Sequence, residues 1–250
     1  MATAGKDSKG KRSGGGRVPE KSIVFDAGPV ISLAMNSLLW ILEPMKERFG
    51  GRFYISPVVK REIVERPLKT KRFRFEAMRV LSHIKRGVIE VADQRGIKGR
   101  TRMLMGLANK SFMAKGSWVQ LVHKGEIEAL AAATMIGSEA IAVDERTLRM
   151  MIEDPARLKD IMEHKLHTKI KVDRKNLERF REETEGIRVI RSTELAAMAY
   201  EMGLLDRYLP DMPRPGRKLL ESVLWGIKLK GCSITRREIE TITKVETKTK

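Results

Sequence analysis

Short apolar runs alternate with helical patterns along most of the chain. Five runs have the length and composition of a buried strand, at 22–25, 52–55, 88–91, 140–143 and 187–190. Between them, apolar residues recur at helical spacing. Strands separated by helices form parallel sheets. The pattern therefore predicts an α/β fold with a central parallel sheet flanked by helices, and Ser192 is the predicted N-cap of the helix after the last strand.

Composition divides the chain into a main domain and two flanking segments. Residues 1–21 are rich in Gly, Ser, Lys and Arg, and they are expected to form a flexible basic tail. The main domain is predicted to span 22–209. Within it, 153–185 is highly charged and is predicted to be an insertion of two helices around an extended segment. After a proline-rich break, 210–250 is predicted to be a helical C-terminal extension.

The charge balance indicates an anionic partner. Fifty Lys and Arg residues against 32 Asp and Glu give a net charge of +18. Nucleic acid is the commonest partner of such a chain, because its phosphates release counterions on binding. No apolar run approaches the roughly 20 residues of a membrane span, and residues 1–21 lack the apolar core of a secretory signal. The single cysteine, Cys232, excludes an internal disulfide, so a cytoplasmic protein is expected.

Acidic residues follow several of the predicted strands. Asp26 and Asp144 each end an apolar run, and Glu62 lies one helical turn inside the helical segment that starts at the end of the second strand. Glu126 and Glu128 open an Ala-rich helix. In open α/β sheets, ligands bind beyond the carboxyl ends of the strands. Carboxylates gathered there repel one another unless protons, bases or metal ions compensate, so the pattern predicts a divalent metal site.

Each acid also has a purely structural interpretation. Asp26 and Asp144 could be helix N-caps, although Ala27-Gly28-Pro29 favours a helix that starts beyond Asp26. Glu62 could be a solvated helix residue. Glu126 and Glu128 point about 200° apart on a helix, so they cannot both face one site. Periodicity does not choose between these two.

Four segments together resemble the PIN-domain nucleases. They are Val24–Ile31, Ile55–Glu62, Gly125–Leu130 and Ala142–Arg146, and the resemblance covers 22–152 and 187–205. It implies a PIN-like three-layer fold and a metal-dependent ribonuclease. The acidic quartet of the family falls on Asp26, Glu62, Glu128 and Asp144, with Glu126 as the alternative to Glu128.

The resemblance also implies a chemistry and a set of partners. An acidic quartet of this kind binds Mg²⁺ or Mn²⁺ and hydrolyses RNA to leave a 5′-phosphate and a 3′-hydroxyl. Structured RNA such as tRNA or rRNA, or a ribonucleoprotein, is the expected substrate. A homodimer and an antitoxin partner are further possibilities in this family. Gly28 stands where the family usually has Ser or Thr, which motivates the alternative of a catalytically inactive RNA-binding protein.

A basic segment precedes the third acid. Residues 94–125 contain seven Lys or Arg and no Asp or Glu. The candidates for phosphate contacts are Lys98, Arg100, Arg102, Lys110 and Lys115. Three aromatic residues could stack on a base, namely Phe112, Trp118 and Tyr200. The apolar neighbours of Trp118 predict a core position for it instead.

Overall fold

The computed structural model describes residues 21–209 and 211–247. The predicted basic tail at 1–21 lies outside this range, except for Lys21. Within the described part of the chain, no helix combines the length and apolarity that crossing a bilayer would require.

Five parallel strands form the central sheet, and three short antiparallel strands form a second one. The strands are β1 (Ser22–Phe25), β2 (Arg52–Ile55), β3 (Glu90–Val91), β4 (Phe112–Ala114), β5 (Ser117–Trp118), β6 (Ala140–Ala142), β7 (Ile170–Val172) and β8 (Arg188–Ile190). The central sheet has the order β3-β2-β1-β6-β8, and the small one has the order β5-β4-β7. The predicted parallel sheet is therefore confirmed, with a shorter third strand than the sequence indicates.

Thirteen α-helices connect and cover the strands within the described residues. They are α1 (Ala27–Met35), α2 (Leu42–Phe49), α3 (Pro57–Lys60), α4 (Arg66–Leu68), α5 (Arg74–Lys85), α6 (Ile97–Asn109), α7 (Lys124–Ile136), α8 (Arg146–Glu153), α9 (Pro155–Leu166), α10 (Arg174–Glu183), α11 (Ser192–Glu201), α12 (Pro215–Leu229) and α13 (Arg236–Glu246). A π-helical turn at Arg61–Glu65 joins α3 to α4. π-Helical turns are rare in proteins, and those that occur are often found at functional sites.

One hydrophobic core joins the central sheet to α7 and also to α1 and α11. All four residues of β1 are buried, and so is every residue of α7 from Ile127 to Ala133. The alanine side chains in this run let the helix backbone approach the sheet closely. Phe25 of β1 contacts Phe53 of β2 with ring centroids 5.2 Å apart, and burying side chains of this size contributes about 1.5–3 kcal/mol each. The rigid sheet and α7 fix the positions of the acidic residues at their ends.

The predicted insertion joins the basic segment that precedes α7. The insertion contains α9, β7 and α10, as expected, but β7 pairs antiparallel with β4, so the two segments form one small sheet. Arg100 of α6 fastens this unit. Its Nε donates to Thr134 Oγ1 at 3.0 Å, and its guanidinium also bonds the carboxylate and the carbonyl oxygen of Glu183. The guanidinium of Arg100, a predicted phosphate contact, is therefore engaged in holding α6, α7 and α10 together.

The C-terminal extension packs against the main domain rather than standing apart from it. Arg191 holds it in place: its Nη1 bonds Glu238 of α13 at 2.8 Å, while its other nitrogens bond Glu194. Desolvation alone would raise the pKa of Glu238, but the hydrogen bonds from Thr235 and from Arg191 together lower it to about 2. Arg191, not Ser192, is the N-cap residue of α11, and the Ser192 side chain bonds elsewhere.

Replacing Arg100 by Met is expected to lower the free energy of unfolding by about 1–3 kcal/mol, because Thr134 and Glu183 lose a charged partner. Arg102→Met is the matched control on the same helix, since the Arg102 side chain is exposed and makes no hydrogen bond or ion pair with any described residue. Urea denaturation of the two variants measures the difference. Equal stability of both would contradict the structural role of Arg100.

Candidate functional site

The acidic residues lie at the point of the central sheet where the chain changes from adding strands on one side of β1 to adding them on the other. From β1 the chain proceeds to β2 and β3 on one side, whereas β6 and β8 lie on the other. The connections after β1 and after β6 therefore diverge and leave a crevice between the carboxyl ends of these two strands. Open α/β sheets bind their ligands at such a switch point. Asp26 directly follows β1, and Asp144 follows β6 by two residues.

A cavity of about 530 Å³ opens at this crevice. Four of the five acids singled out from the sequence line it, and they come from four separate segments of the chain. The lining residues are Asp26, Ala27, Gly28, Ile31, Glu62, His123, Gly125, Glu126, Asp144, Glu145, Arg146, Gly231 and Ser233. The fold thus brings Asp26, Glu62 and Asp144 together, as the sequence predicts.

Of the two acids at the start of α7, the structure places Glu126 on the cavity. Its Oε2 accepts a hydrogen bond from the backbone N–H of His123 at 3.1 Å, which caps the helix. Glu128 is 5% exposed and does not line the cavity. Its Oε1 instead accepts a hydrogen bond from Val58 N, at 2.9 Å, in the first turn of α3. Glu128 therefore joins α7 to α3, and the alternative acid Glu126 is the one available to a ligand.

Asp144 is fixed by hydroxyl and amide donors on both sides. Ser32 Oγ of α1 donates to its Oδ2 at 2.7 Å, and Ser192 of α11 donates to its carboxylate from both N and Oγ at 2.8 Å. The carbonyl oxygen of Asp144 accepts a hydrogen bond from Ser233 N at 3.0 Å. Charge-assisted hydrogen bonds of this kind are strong and stabilise a buried carboxylate. One residue thus connects β6, α1, α11 and the C-terminal extension.

Burial and neighbouring acids raise the pKa of Asp26. Desolvation raises the pKa of Asp26 to about 7, and the carboxylates of Glu126 and Glu62 add to the rise, while the backbone N–H groups of Ala27 and Gly28 oppose it. The pKa of Glu126 is raised as well, mainly by burial and further by Glu145 and Glu62. A cluster of this kind favours whatever supplies positive charge, whether a proton or a cation.

Asp26 occupies the N-cap position of α1, because the helix begins at Ala27 and not further along. Its side chain nevertheless makes no capping hydrogen bond. The N–H groups of Ala27 and Gly28 at the start of α1 still lower the pKa of its carboxyl group, and this carboxyl group lines the cavity.

The carboxylates are close enough to repel one another, but they do not form a complete set of ligands around a cation. In the described part of the chain, no group of three or more His, Cys, Asp or Glu side chains is arranged so that it could hold a metal ion between them. A cation at this cavity would therefore have one or two protein ligands. Desolvation and the charge of the neighbouring Asp144 raise the pKa of the Cys232 thiol to about 12.

Two contributions to the site come from residues that the sequence does not single out for it. Ser32 and Ser192 hold Asp144, and Gly231 and Ser233 of the C-terminal extension form part of the cavity wall. Arg146 also borders the cavity, and its Nε bonds Ser233 Oγ at 3.0 Å. Ser192 stands two residues after the strand-like run 187–190, and this position near a strand end is the only sequence signal that any of these residues carries.

The basic candidates divide into free and engaged side chains. Lys98, Arg102, Lys110 and Lys115 are exposed, whereas Arg100 is held by Thr134 and Glu183. Among the aromatic candidates, Phe112 and Tyr200 are buried. Trp118 is 45% exposed, so the predicted core position for it is wrong.

No protein-family model, curated protein or solved structure matches the chain. The chemistry of the site therefore rests on the geometry and charge of its own residues.

Asp26→Asn is expected to raise the stability of the metal-free protein at alkaline pH. Because the pKa of Asp26 rises from 3.8 to about 7 on folding, the unfolded chain releases this proton at lower pH than the folded chain. The carboxyl group therefore destabilises the fold increasingly as the pH rises from about 4 to 7, by at most about 4 kcal/mol. The gain from the asparagine should follow the same pH dependence.

Denaturation in EDTA at about pH 4 and about pH 8 measures this effect. The variant should gain little at the lower pH and most at the higher one. A variant that is less stable than the wild type at about pH 8 would show that Asp26 does not stand in a repelling cluster.

Proposed function

We propose that the protein is a PIN-type, metal-dependent ribonuclease that hydrolyses RNA phosphodiester bonds at the crevice between β1 and β6. The observation that carries the proposal is the meeting of Asp26, Glu62, Glu126 and Asp144 on one cavity at the switch point of a parallel sheet. A parallel sheet of five strands flanked by helices is compatible with the PIN-like three-layer fold. In this proposal Glu126 takes the place that the family resemblance gives to Glu128.

The cavity residues suit Mg²⁺ or Mn²⁺ bound through one or two carboxylates, with the other coordination positions left to water and substrate. The available donors are carboxylate oxygens, which hard divalent cations prefer. Mg²⁺ usually keeps several waters and binds proteins through one or two carboxylates together with substrate phosphates, which agrees with the lack of a three-ligand cage among the described residues. A bound cation would supply charge neutralisation at the scissile phosphate and a more acidic attacking water.

The chain's own residues position the reactants. Asp144 cannot rotate, because Ser32 and Ser192 hold both of its oxygens, so it provides a fixed point at the floor of the cavity. Asp26 faces it across the crevice, and Glu62 has no ion-pair partner among the described residues and can orient water. Arg146 on the rim is placed to attract a phosphate of the strand. Hydrolysis adds water across the P–O bond and leaves a 5′-phosphate and a 3′-hydroxyl.

RNA is the proposed substrate because of the charge around the site. The net charge of +18 and the exposed Lys98, Arg102, Lys110 and Lys115 suit a phosphate backbone. The acidic cavity would by itself repel that backbone, so cations are needed both to admit and to cleave it. Structured RNA and ribonucleoproteins remain the proposed class of substrate.

Cleavage of labelled total RNA with Mn²⁺, Mg²⁺ or EDTA tests the activity. Asp26→Asn and Glu126→Gln should each lower the rate by at least about 100-fold, because each removes a carboxylate that would hold the cation at the scissile phosphate. Glu128→Gln is the matched control on the same helix, and its amide oxygen can still accept from Val58 N. Loss of cleavage in Glu128→Gln with full activity in Glu126→Gln would overturn the assignment.

Metal binding has a separate readout in thermal stability. At about pH 8, saturating Mn²⁺ should raise the melting temperature of the wild type, because a ligand that binds only the folded state stabilises it by mass action. The increase should be small in Asp26→Asn and Glu126→Gln and normal in Glu128→Gln. No shift in the wild type at millimolar Mn²⁺ would contradict a metal site.

The second candidate function is an RNA-binding protein with the same fold and no cleavage. The open arrangement of the carboxylates favours it, since no three of them within the described chain could hold a cation between them. Salt-sensitive RNA binding without cutting in either metal, unchanged in Asp26→Asn, would select this function.

A further inference from the structure

The outer face of the small antiparallel sheet carries an exposed tryptophan beside a lysine. Met113 of β4 pairs with Trp118 of β5 on one side and with Lys171 of β7 on the other. Directly paired residues project from the same face of a sheet, so these three side chains form a row across it. Trp118 is 45% exposed and Lys171 is exposed, while Phe112 and Ile170 are buried on the opposite face. The row therefore faces solvent.

The hairpin that carries Trp118 is tightly turned. Lys115 and Gly116 connect β4 to β5 with φ values of 48° and 81°. Two consecutive left-handed residues form the turn that matches the twist of a two-residue hairpin. This conformation is unfavourable for lysine, and Asn or Gly is the usual residue there. Lys115 therefore places a cation at the tip of the hairpin, two residues from Met113 and three from Trp118.

We propose that this face binds unpaired nucleotides of an RNA strand, with Trp118 stacking on a base and Lys171 and Lys115 contacting phosphates. The proposal extends the function proposed above and rests on nucleic acid being the substrate. Aromatic side chains on a sheet surface stack on bases of any sequence, and nearby cations track the backbone. The row on β5, β4 and β7 combines an aromatic side chain, Trp118, with a cation, Lys171.

Charge complementarity favours a polyanion over an apolar partner. Residues 94–125, which contain β4 and β5, have no Asp or Glu. On β7, Lys171 is joined by Lys169, whose side chain is 95% exposed. Two acids lie near β7: Glu163 is 4.0 Å from Lys169 and accepts a hydrogen bond from Ile170 N, and Asp173, directly after the strand, accepts one from Asn176 N at the start of α10. An apolar protein partner would have to cover these lysines without compensating their charge.

The face is connected to the acidic cavity by a short, fixed segment. After Trp118, the backbone N–H groups of Leu121 and Val122 donate to Asn109 Oδ1 at 2.8 and 3.1 Å, and His123 then lines the cavity. Five residues span at most about 18 Å. At 3.4 Å per stacked nucleotide, this distance corresponds to about five nucleotides. One strand could therefore contact the tryptophan while another of its phosphates lies at the acids.

Tryptophan fluorescence gives a direct test. The chain has three tryptophans, so Trp40→Phe and Trp225→Phe together leave Trp118 as the only one. This variant is titrated in EDTA, which prevents cleavage, with an unstructured RNA of about ten nucleotides, within the usual site sizes for such surfaces. Saturable quenching that weakens with salt is expected with the single strand. Equal quenching by a blunt duplex of the same length, or no quenching, would overturn the proposal.

Variants in the otherwise wild-type chain separate stacking from charge. Trp118→Ala should weaken binding of the single strand by about 5- to 100-fold, and Trp118→Phe should restore most of it. Lys171→Ala should weaken binding and reduce the slope of log affinity against log salt by about one. Lys218→Ala, at an exposed position on α12, is the matched control and should leave the slope nearly unchanged. Unchanged binding in Trp118→Ala, or an effect confined to self-association in sedimentation, would overturn the proposal.

The two proposals fail in different ways. Quenching of Trp118 by RNA without any metal-dependent cleavage would support the nucleotide-binding face and contradict the nuclease proposal. Cleavage that is lost in Asp26→Asn, together with an RNA affinity that does not change in Trp118→Ala, would support the nuclease and contradict the nucleotide-binding face.

Discussion

The buried carboxylate of Asp144 is the interaction on which the rest of the site depends. It is 4% exposed, and taking a charge out of water is costly unless hydrogen bonds compensate. Ser32 and Ser192 supply this compensation, and Ser233 bonds the backbone of the same residue. The carboxylate therefore requires α1 and α11 to meet at the end of β6, and the carbonyl oxygen of the same residue bonds the C-terminal extension. Loss of Ser32 or Ser192 would leave a buried charge with unsatisfied oxygens, so the site and the fold stabilise each other.

The sequence predicts the strand-end acids well because their signal is local. An aspartate after an apolar run requires only that the run be a strand, and Asp26 and Asp144 are both found at such positions. The choice between Glu126 and Glu128 depends on the rotation of α7 about its axis. That rotation is set by contacts such as the hydrogen bond from Val58 N to Glu128, which joins residues 70 positions apart. No pattern within α7 contains this information, and for the same reason Ser32 could not be recognised as a partner of Asp144.

The small sheet shows a second limit of sequence patterns. The apolar neighbours of Trp118 favour a core position, yet the side of the sheet on which a strand residue lies is set by its pairing register. Here β4 pairs with β7, from a segment more than 50 residues away, and this pairing directs Phe112 inward and Trp118 outward. Arg100 is the complementary case. Its place in a basic stretch indicates a free cation, whereas Glu183 of the distant α10 engages it.

Gly28 is best understood as a consequence of how rigidly Asp144 is held. A Cβ at residue 28 would lie 3.2 Å from the Cβ of Asp144, closer than most such contacts. Asp144 cannot yield easily, since Ser32 and Ser192 fix it from both sides. Ser32 and Ser192 place two hydroxyls against the carboxylate of Asp144. A side chain at residue 28 would compete with the support that Asp144 already has.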